Sequence, residues 1–131
     1  MLKLRSTLIL AVGMFSVAEQ FSDFRLPENT IMCSILQETR CEWKQNWTNA
    51  EGVRRELDAG KPTIQFYYFC KGKRTENCGV WVDESNTPIK DSSHEDRLAG
   101  ENFVIEKMEI KILGDYVKIP EEKGDKKLII E

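Results

Sequence analysis

Hydrophobic and polar residues alternate along several short stretches of this chain, which is the pattern of half-buried β-strands. The clearest stretch runs from Thr63 to Cys70 and carries aromatic side chains on both faces. Aromatic residues on both faces predict a central strand that is covered on each side. Weaker patterns of the same kind predict further strands at residues 30–36, 40–43, 79–82, 103–112, 116–119 and 128–130. Charged residues flank the last of these strands, which predicts an edge position for it.

One clear helix is predicted over residues 49–59. Thr48 and Glu51 have the spacing of a capping box, in which the hydroxyl and the carboxylate satisfy the free amide groups of a first helical turn. Gly60 follows the last apolar position and is expected to end the helix. A shorter helix is predicted within residues 92–100. The apolar stripe of the first helix consists of Ala50, Val53 and Leu57, and its outward positions are Arg54, Arg55, Glu56 and Asp58.

About six short strands and one clear helix predict an α+β protein that is mainly antiparallel β. Parallel neighbours would need crossover connections of about a dozen residues or more, and most of the predicted turns are shorter. We therefore expect a curved antiparallel sheet or meander, with the helix at residues 49–59 packed on one face. The alternative is a small β-barrel or sandwich.

Residues 1–18 have the three parts of a secretory signal peptide. Basic residues stand near the start, an apolar centre spans residues 8–15, and small residues precede a predicted cut after Ala18. The apolar centre is too short to cross a bilayer, which takes about 20 residues. The sequence therefore predicts a secreted, extracellular protein whose mature part, residues 19–131, forms a single disulfide-stabilised domain.

Acidic side chains outnumber basic ones, 22 against 19, and the predicted cut would remove two of the basic ones. The mature chain would then carry a net charge of −5. Because nucleic acids and anionic membranes attract basic surfaces, this balance argues against both as the main partner. No later apolar run reaches spanning length, so membrane insertion is not expected either.

The four cysteines form two pairs with the same spacing, Cys33 with Cys41 and Cys70 with Cys78. An even number of cysteines in an exported chain predicts disulfides, and three connectivities are possible. We favour local pairing, in which each bond clasps one hairpin, whereas crossed pairing would join the two hairpins to each other. Zinc binding is not expected because the short spacing of paired zinc ligands is missing.

Asn46, Trp47 and Thr48 form an N-glycosylation sequon. In an exported chain this triplet predicts a glycan on Asn46 at the surface, although a chance match explains it equally well. Trp47 lies in a polar segment where burial is harder, so core packing and contact with a partner are about equally expected of it. Trp81, beside a cysteine, is expected to fill the core.

The single histidine, His94, stands in a polar, acidic stretch of the chain. A catalytic histidine needs a nucleophile placed against it in space, and the chain has no G-x-S-x-G motif that would supply one. We interpret His94 as a solvated loop residue and the clustered carboxylates as a solvated surface. No catalytic residue, metal ligand or cofactor is predicted.

These observations favour a secreted binding protein, such as an inhibitor, an effector or a venom-type protein, which contacts an extracellular protein through its surface. Two alternatives come from other classes: a small-ligand carrier in which residues 64–69 line an aromatic pocket, and a small secreted hydrolase. The oligomeric state is not predicted. The candidate contacts are Trp47 and the basic residues of the turn after Cys70, namely Lys71, Lys73 and Arg74.

Overall fold

The computed structural model describes residues 28–72, 76–90, 92 and 95–131, so the predicted signal peptide at residues 1–18 lies outside the described part. Nine β-strands lie within the described residues. They are β1 (Thr30–Cys33), β2 (Cys41–Lys44), β3 (Gly52–Leu57), β4 (Ile64–Tyr68), β5 (Trp81–Val82), β6 (Arg97–Ala99), β7 (Asn102–Ile105), β8 (Gly114–Ile119) and β9 (Lys127–Ile130).

The strands form two sheets. The larger sheet has six strands in the order β1-β9-β8-β3-β4-β5, and the smaller has three in the order β2-β7-β6. Neighbouring strands are antiparallel except β1 and β9, which run parallel and make the larger sheet mixed. Nearly the whole described chain separates β1 from β9, which leaves ample length for a parallel connection. Within the described residues the larger sheet ends at β1 and at β5, so it is open and not a closed barrel.

The prediction of a helix at residues 49–59 is wrong, because this segment contains β3 in the interior of the larger sheet. β3 is hydrogen-bonded to β4 on one side and to β8 on the other. Its inward side chains are Val53, Arg55 and Leu57, and all three are buried. The helical interpretation places Arg55 outward, whereas this side chain is only 3% exposed. Pairing on both edges satisfies the backbone amides and outweighs the local helical pattern.

Two local features fit the strand and not the helix. Gly52 lies so close to β4 that a Cβ atom in its place would stand 2.1 Å from the carbonyl oxygen of Tyr67. The residue that resembles a helix cap, Thr48, instead donates its hydroxyl hydrogen bond to Oδ1 of Asn46 at 2.6 Å. The glycine that would weaken a helix is therefore what allows two strands to approach.

Three further expectations from the sequence are corrected. The short helix predicted within residues 92–100 is absent from the described part of that segment, which contains β6. Residues Ile110–Ile112 form a 3-10 turn and do not continue the strand pattern expected over 103–112. The last strand, β9, lies between β1 and β8 and not at an edge, because the chain's first described strand pairs beside it.

The prediction of a strand within Thr63–Cys70 is confirmed by β4, which lies between β3 and β5. On its inner face Gln65 and Tyr67 are buried. On its outer face the rings of Phe66 and Tyr68 are half-buried and stack with their centroids 6.0 Å apart. Strands predicted near the positions of β1, β2, β5, β7, β8 and β9 are also confirmed.

Both disulfides have the local pairing that the spacing favoured, Cys33–Cys41 and Cys70–Cys78. The second bond closes the loop between β4 and β5, which are antiparallel neighbours, as expected. The first bond does not clasp a hairpin. It joins the end of β1 to the start of β2, and these strands belong to different sheets. The first bond therefore fixes one sheet against the other.

Side chains from both sheets pack into one core, which is closer to the sandwich alternative than to a sheet covered by a helix. Trp43, Trp81, Phe103 and Tyr116 are completely buried. Phe103 meets Trp43 and Trp81 edge to face, at centroid distances of 6.4 and 6.3 Å. Such ring pairs contribute about 0.5–1.5 kcal/mol each beyond the burial of their area. The prediction that Trp81 fills the core is confirmed.

Candidate functional site

An open groove of about 840 Å³ lies beside β2 and the segment that follows it. We call it the Asn46 groove, and its lining includes Lys44, Asn46, Trp47, Lys71, Glu101 and Lys126. Two of the predicted contacts, Trp47 and Lys71, are therefore brought together, although they are far apart in the chain. The other two, Lys73 and Arg74, lie outside the described residues.

Trp47 reaches the groove while most of its ring belongs to the core. The residue is 6% exposed, so it offers a partner only a small part of its surface. Its Nε1 donates a hydrogen bond to the carbonyl oxygen of Glu101 at 3.1 Å. The ring meets Trp43 and Phe69 edge to face, at centroid distances of 5.0 and 5.9 Å. Because these contacts already hold the indole in place, a partner that binds it would cause little further loss of side-chain entropy.

The groove is basic although the chain as a whole has a net charge of −3. Lys44, Lys71 and Lys126 line it, and Glu101 is the one carboxylate among its described lining residues. The Lys44 ammonium lies 3.6 Å from the Glu101 carboxylate, but both side chains are largely exposed, so this ion pair is weak. The groove therefore presents a net positive charge to a ligand.

Gln45, the residue before the sequon, also lines the groove and is 8% exposed. Its Oε1 accepts a hydrogen bond from the Lys126 amide at 2.9 Å. Its Nε2 is buried and has no hydrogen-bond partner among the described residues. A buried polar group without a partner costs about 1–3 kcal/mol.

Asn46 is exposed and forms a tight turn with Thr48. Its Oδ1 accepts hydrogen bonds from the Thr48 amide at 2.9 Å and from the Thr48 hydroxyl at 2.6 Å. Nδ2, the atom to which a glycan would be attached, is the other end of the same amide. A glycan on this atom would stand beside the groove and restrict what enters it.

A second unusual feature is the buried guanidinium of Arg55. Its Nε and Nη2 donate hydrogen bonds to Oε1 of Gln65 at 2.9 and 2.6 Å, and its Nη1 donates to the hydroxyl of Tyr116 at 3.3 Å. Its central carbon lies 3.7 Å from the ring centroid of Trp81, which is a cation–π contact. Burial lowers the pKa of Arg55, because loss of water disfavours the charged form.

Asp96 contacts the same indole and is 3% exposed. Its Oδ2 accepts a hydrogen bond from Nε1 of Trp81 at 2.9 Å, and its Oδ1 accepts one from the amide of Glu106 at 3.2 Å. Burial raises the pKa of Asp96 above its ordinary value, although these two hydrogen bonds oppose the shift. These hydrogen bonds hold the carboxylate inside the core.

Sequence reasoning missed both of these buried charges. For Arg55 a signal existed, because it alternates with Val53 and Leu57 at the period of a strand. Because Arg55 is charged, it interrupts the apolar alternation of a strand, and the apolar residues fit a helical period better. For Asp96 no local signal existed, because Trp81, its indole partner, is distant in the chain.

The remaining expectations concern a ligand pocket, His94, metal binding and membrane insertion. Tyr67 and Phe69 pack against Phe103 at centroid distances of 5.2 and 6.2 Å, so these two rings of the aromatic strand fill the core and do not line a ligand cavity. His94 lies outside the described residues. Within the described residues, histidine, cysteine and acidic side chains form no group of three that could hold a metal ion. Likewise, none of the described segments is a helix with the length and apolarity needed to cross a membrane.

No protein-family model, curated protein or solved structure matches this chain. Its function therefore has to be inferred from its own residues.

Proposed function

We propose that this protein is secreted and binds an extracellular protein with an acidic surface through the Asn46 groove. The observation that carries this proposal is the meeting of three lysines with the fixed edge of Trp47 in one groove of an acidic chain. Two disulfides in a small β protein support an extracellular location, because such bonds persist in oxidising compartments. The export pattern at residues 1–18 supports the same location.

The lining of the groove indicates which chemistry the partner would offer. Carboxylates of the partner would pair with Lys71 and Lys126, and an apolar side chain would cover the indole edge of Trp47. Opposite charges on two surfaces increase the rate of association and select the partner more than they increase affinity. Lys73 and Arg74, close to Lys71 in the chain, would add to this positive charge.

Reversal of charge in the groove tests the proposal. Mature protein immobilised on a support would capture partners from the extracellular fluid that it meets naturally. The groove variant carries Lys71→Glu and Lys126→Glu, and the matched control carries Lys107→Glu and Lys123→Glu on exposed positions elsewhere. We expect the wild type and the control to retain the same acidic protein in a stoichiometric amount. The groove variant should bind that protein at least about tenfold more weakly, with an unchanged melting temperature.

Two further measurements examine whether charge in the groove makes the contact. Added salt should weaken the wild-type complex, because screening shortens the range of exposed charges. A Lys73→Glu, Arg74→Glu variant reports whether the predicted basic turn takes part in the same contact. If the groove variant captures the partner as well as the control does, the Asn46 groove is not the binding site.

A further inference from the structure

A second depression, of about 260 Å³, is lined by the buried guanidinium of Arg55. We call it the Arg55 pocket. Its lining also includes Gln65, Lys61, Lys90 and Lys111. No carboxylate is found among its described lining residues, and it shares none of them with the Asn46 groove. We propose that the Arg55 pocket binds a small oxyanion, a sulfate or phosphate group.

The first argument is that no carboxylate among the described residues bonds directly to Arg55. Buried charges in proteins are normally paired, because removal of an ion from water is costly. Among the described residues, the hydrogen-bond partners of Arg55 are the Gln65 amide and the Tyr116 hydroxyl, and both are neutral. The buried carboxylate of Asp96 attracts the guanidinium without a hydrogen bond to it, and accepts hydrogen bonds from Trp81 and from a backbone amide. An oxyanion beside Arg55 would supply the charge that its direct partners lack.

The second argument is the number of donors. A guanidinium group has five N–H bonds arranged as a planar fork. Gln65 accepts two of them through one oxygen and Tyr116 accepts a third. Two N–H bonds, one on each terminal nitrogen, remain for an acceptor. N–H donors of a guanidinium group suit the oxygens of a sulfate or phosphate group.

The third argument is that the guanidinium is held in place before any ligand arrives. Its face is fixed against the Trp81 ring at 3.7 Å, and one edge is fixed by Gln65. The Gln65 amide is itself oriented, because its Nε2 donates a hydrogen bond to the Pro62 carbonyl oxygen at 2.8 Å. A group that is already oriented loses little freedom when it binds an anion.

The pocket's size and outer rim limit the ligand. Pockets for drug-sized molecules have volumes of about 300–1,000 Å³. At about 260 Å³ the Arg55 pocket is smaller than these and has room for a sulfate or phosphate group. Lys61 and Lys90 are exposed and would attract the anion and balance its second charge. Lys111 contributes less, since it also lies 4.0 Å from Glu109.

Titration calorimetry of the mature protein with inorganic sulfate and with inorganic phosphate tests the proposal, at an ionic strength held constant with sodium chloride. We expect one saturable site per chain. The Lys61→Gln, Lys90→Gln variant changes exposed residues alone, and its control, Lys107→Gln, Lys123→Gln, makes the same change of charge elsewhere. The pocket variant should bind either ion about tenfold more weakly, while the control binds like the wild type.

A third titrant, glucosamine 6-sulfate, distinguishes the source of the oxyanion. Binding as tight as that of free sulfate indicates a sulfate group presented by a larger molecule, whereas exclusion of the sugar indicates the free ion. The absence of saturable binding in the millimolar range, or equal binding by the pocket variant and the control, would overturn the proposal. The variants here and those of the Asn46 groove share no lining residue, so the two proposals fail independently.

Discussion

Tyr67 and Tyr116 keep their hydroxyl groups inside the protein. The Tyr67 hydroxyl donates a hydrogen bond to the Asp96 carbonyl oxygen at 2.6 Å, and the Tyr116 hydroxyl donates one to the Ile112 carbonyl oxygen at 2.6 Å. Burial raises the pKa of each from 10.0 to about 12, because the charged phenolate loses its water. The charge of Asp96 raises both values further.

Alkaline titration should therefore show Tyr67 and Tyr116 ionising near pH 12. The unfolded chain loses these protons near pH 10.0, so the free energy of unfolding should be unaffected below that pH. Between pH 10 and 12 it should fall by about 1.4 kcal/mol per pH unit for each of the two residues. Phenolate absorbance and chemical denaturation over this range measure both effects.

The Tyr67→Phe variant provides the check on this assignment. It removes one group from the absorbance step near pH 12 and should make the fall in stability less steep. An absorbance step at pH 10 that includes both residues, without loss of stability, would contradict the burial of the hydroxyls.

Arg55 shows how a single side chain limits prediction from sequence. Its neighbours Val53 and Leu57 fit a strand, and with Ala50 they fit a helix equally well. A charged residue is expected to face water, and this expectation favours the helix. The aromatic and amide groups that make its burial possible, Trp81 and Gln65, come from other strands.

β3 is an interior strand of the larger sheet and joins β4 to β8. Segments that carry strong alternation, such as β4, were predicted correctly. β3 was not, because its helical and strand patterns overlap and one of its two neighbours, β8, is distant in the chain. The partner of β1 was missed for a similar reason, since a parallel pair with β9 leaves no turn to recognise.

The two disulfides should differ in their effect on stability. Both join cysteines eight residues apart, so each contributes roughly 2.6 kcal/mol in the chain-entropy model. Cys33 and Cys41 are buried and connect the two sheets, whereas Cys70 is exposed. Replacement of the first pair by alanine should therefore cost at least about 1 kcal/mol more than replacement of the second, because it also leaves buried space.

Denaturant unfolding of the Cys33→Ala, Cys41→Ala and the Cys70→Ala, Cys78→Ala variants measures this difference. The equal spacing makes each variant the control for the other. Equal losses would mean that the first bond does not fix the sheets and that both bonds act through loop closure alone.

At the level of the molecule, the acidic chain carries two separate basic depressions, the Asn46 groove and the Arg55 pocket. The acidic composition argued against anionic partners such as nucleic acid, but a net charge does not describe where charges lie. Lys71 and Lys126 are distant in sequence, and the fold places them on one groove. The sequence was enough to suggest that the protein binds a partner, but it did not predict most of the residues of the groove.

Maturation of the whole protein gives a further prediction. Material recovered from outside the cell should begin at Glu19, if the cut follows Ala18. Its four cysteines should be oxidised, and treatment with a peptide N-glycosidase should lower its mass by that of one glycan. A Thr48→Ala variant should lack this mass change, since the sequon needs a hydroxyl residue at that position. An intact leader on a chain with four free thiols would contradict the extracellular location.

Local patterns alone were sufficient for two features of this protein, namely the positions of most strands and the pairing of neighbouring cysteines. Each of these depends on residues that are close together in the chain. The strand at β3, the connection of two sheets by Cys33–Cys41, the burial of Arg55 and the assembly of the Asn46 groove became visible only in the fold. These features depend on contacts between distant segments, whose free energy outweighs local preference and has no local pattern.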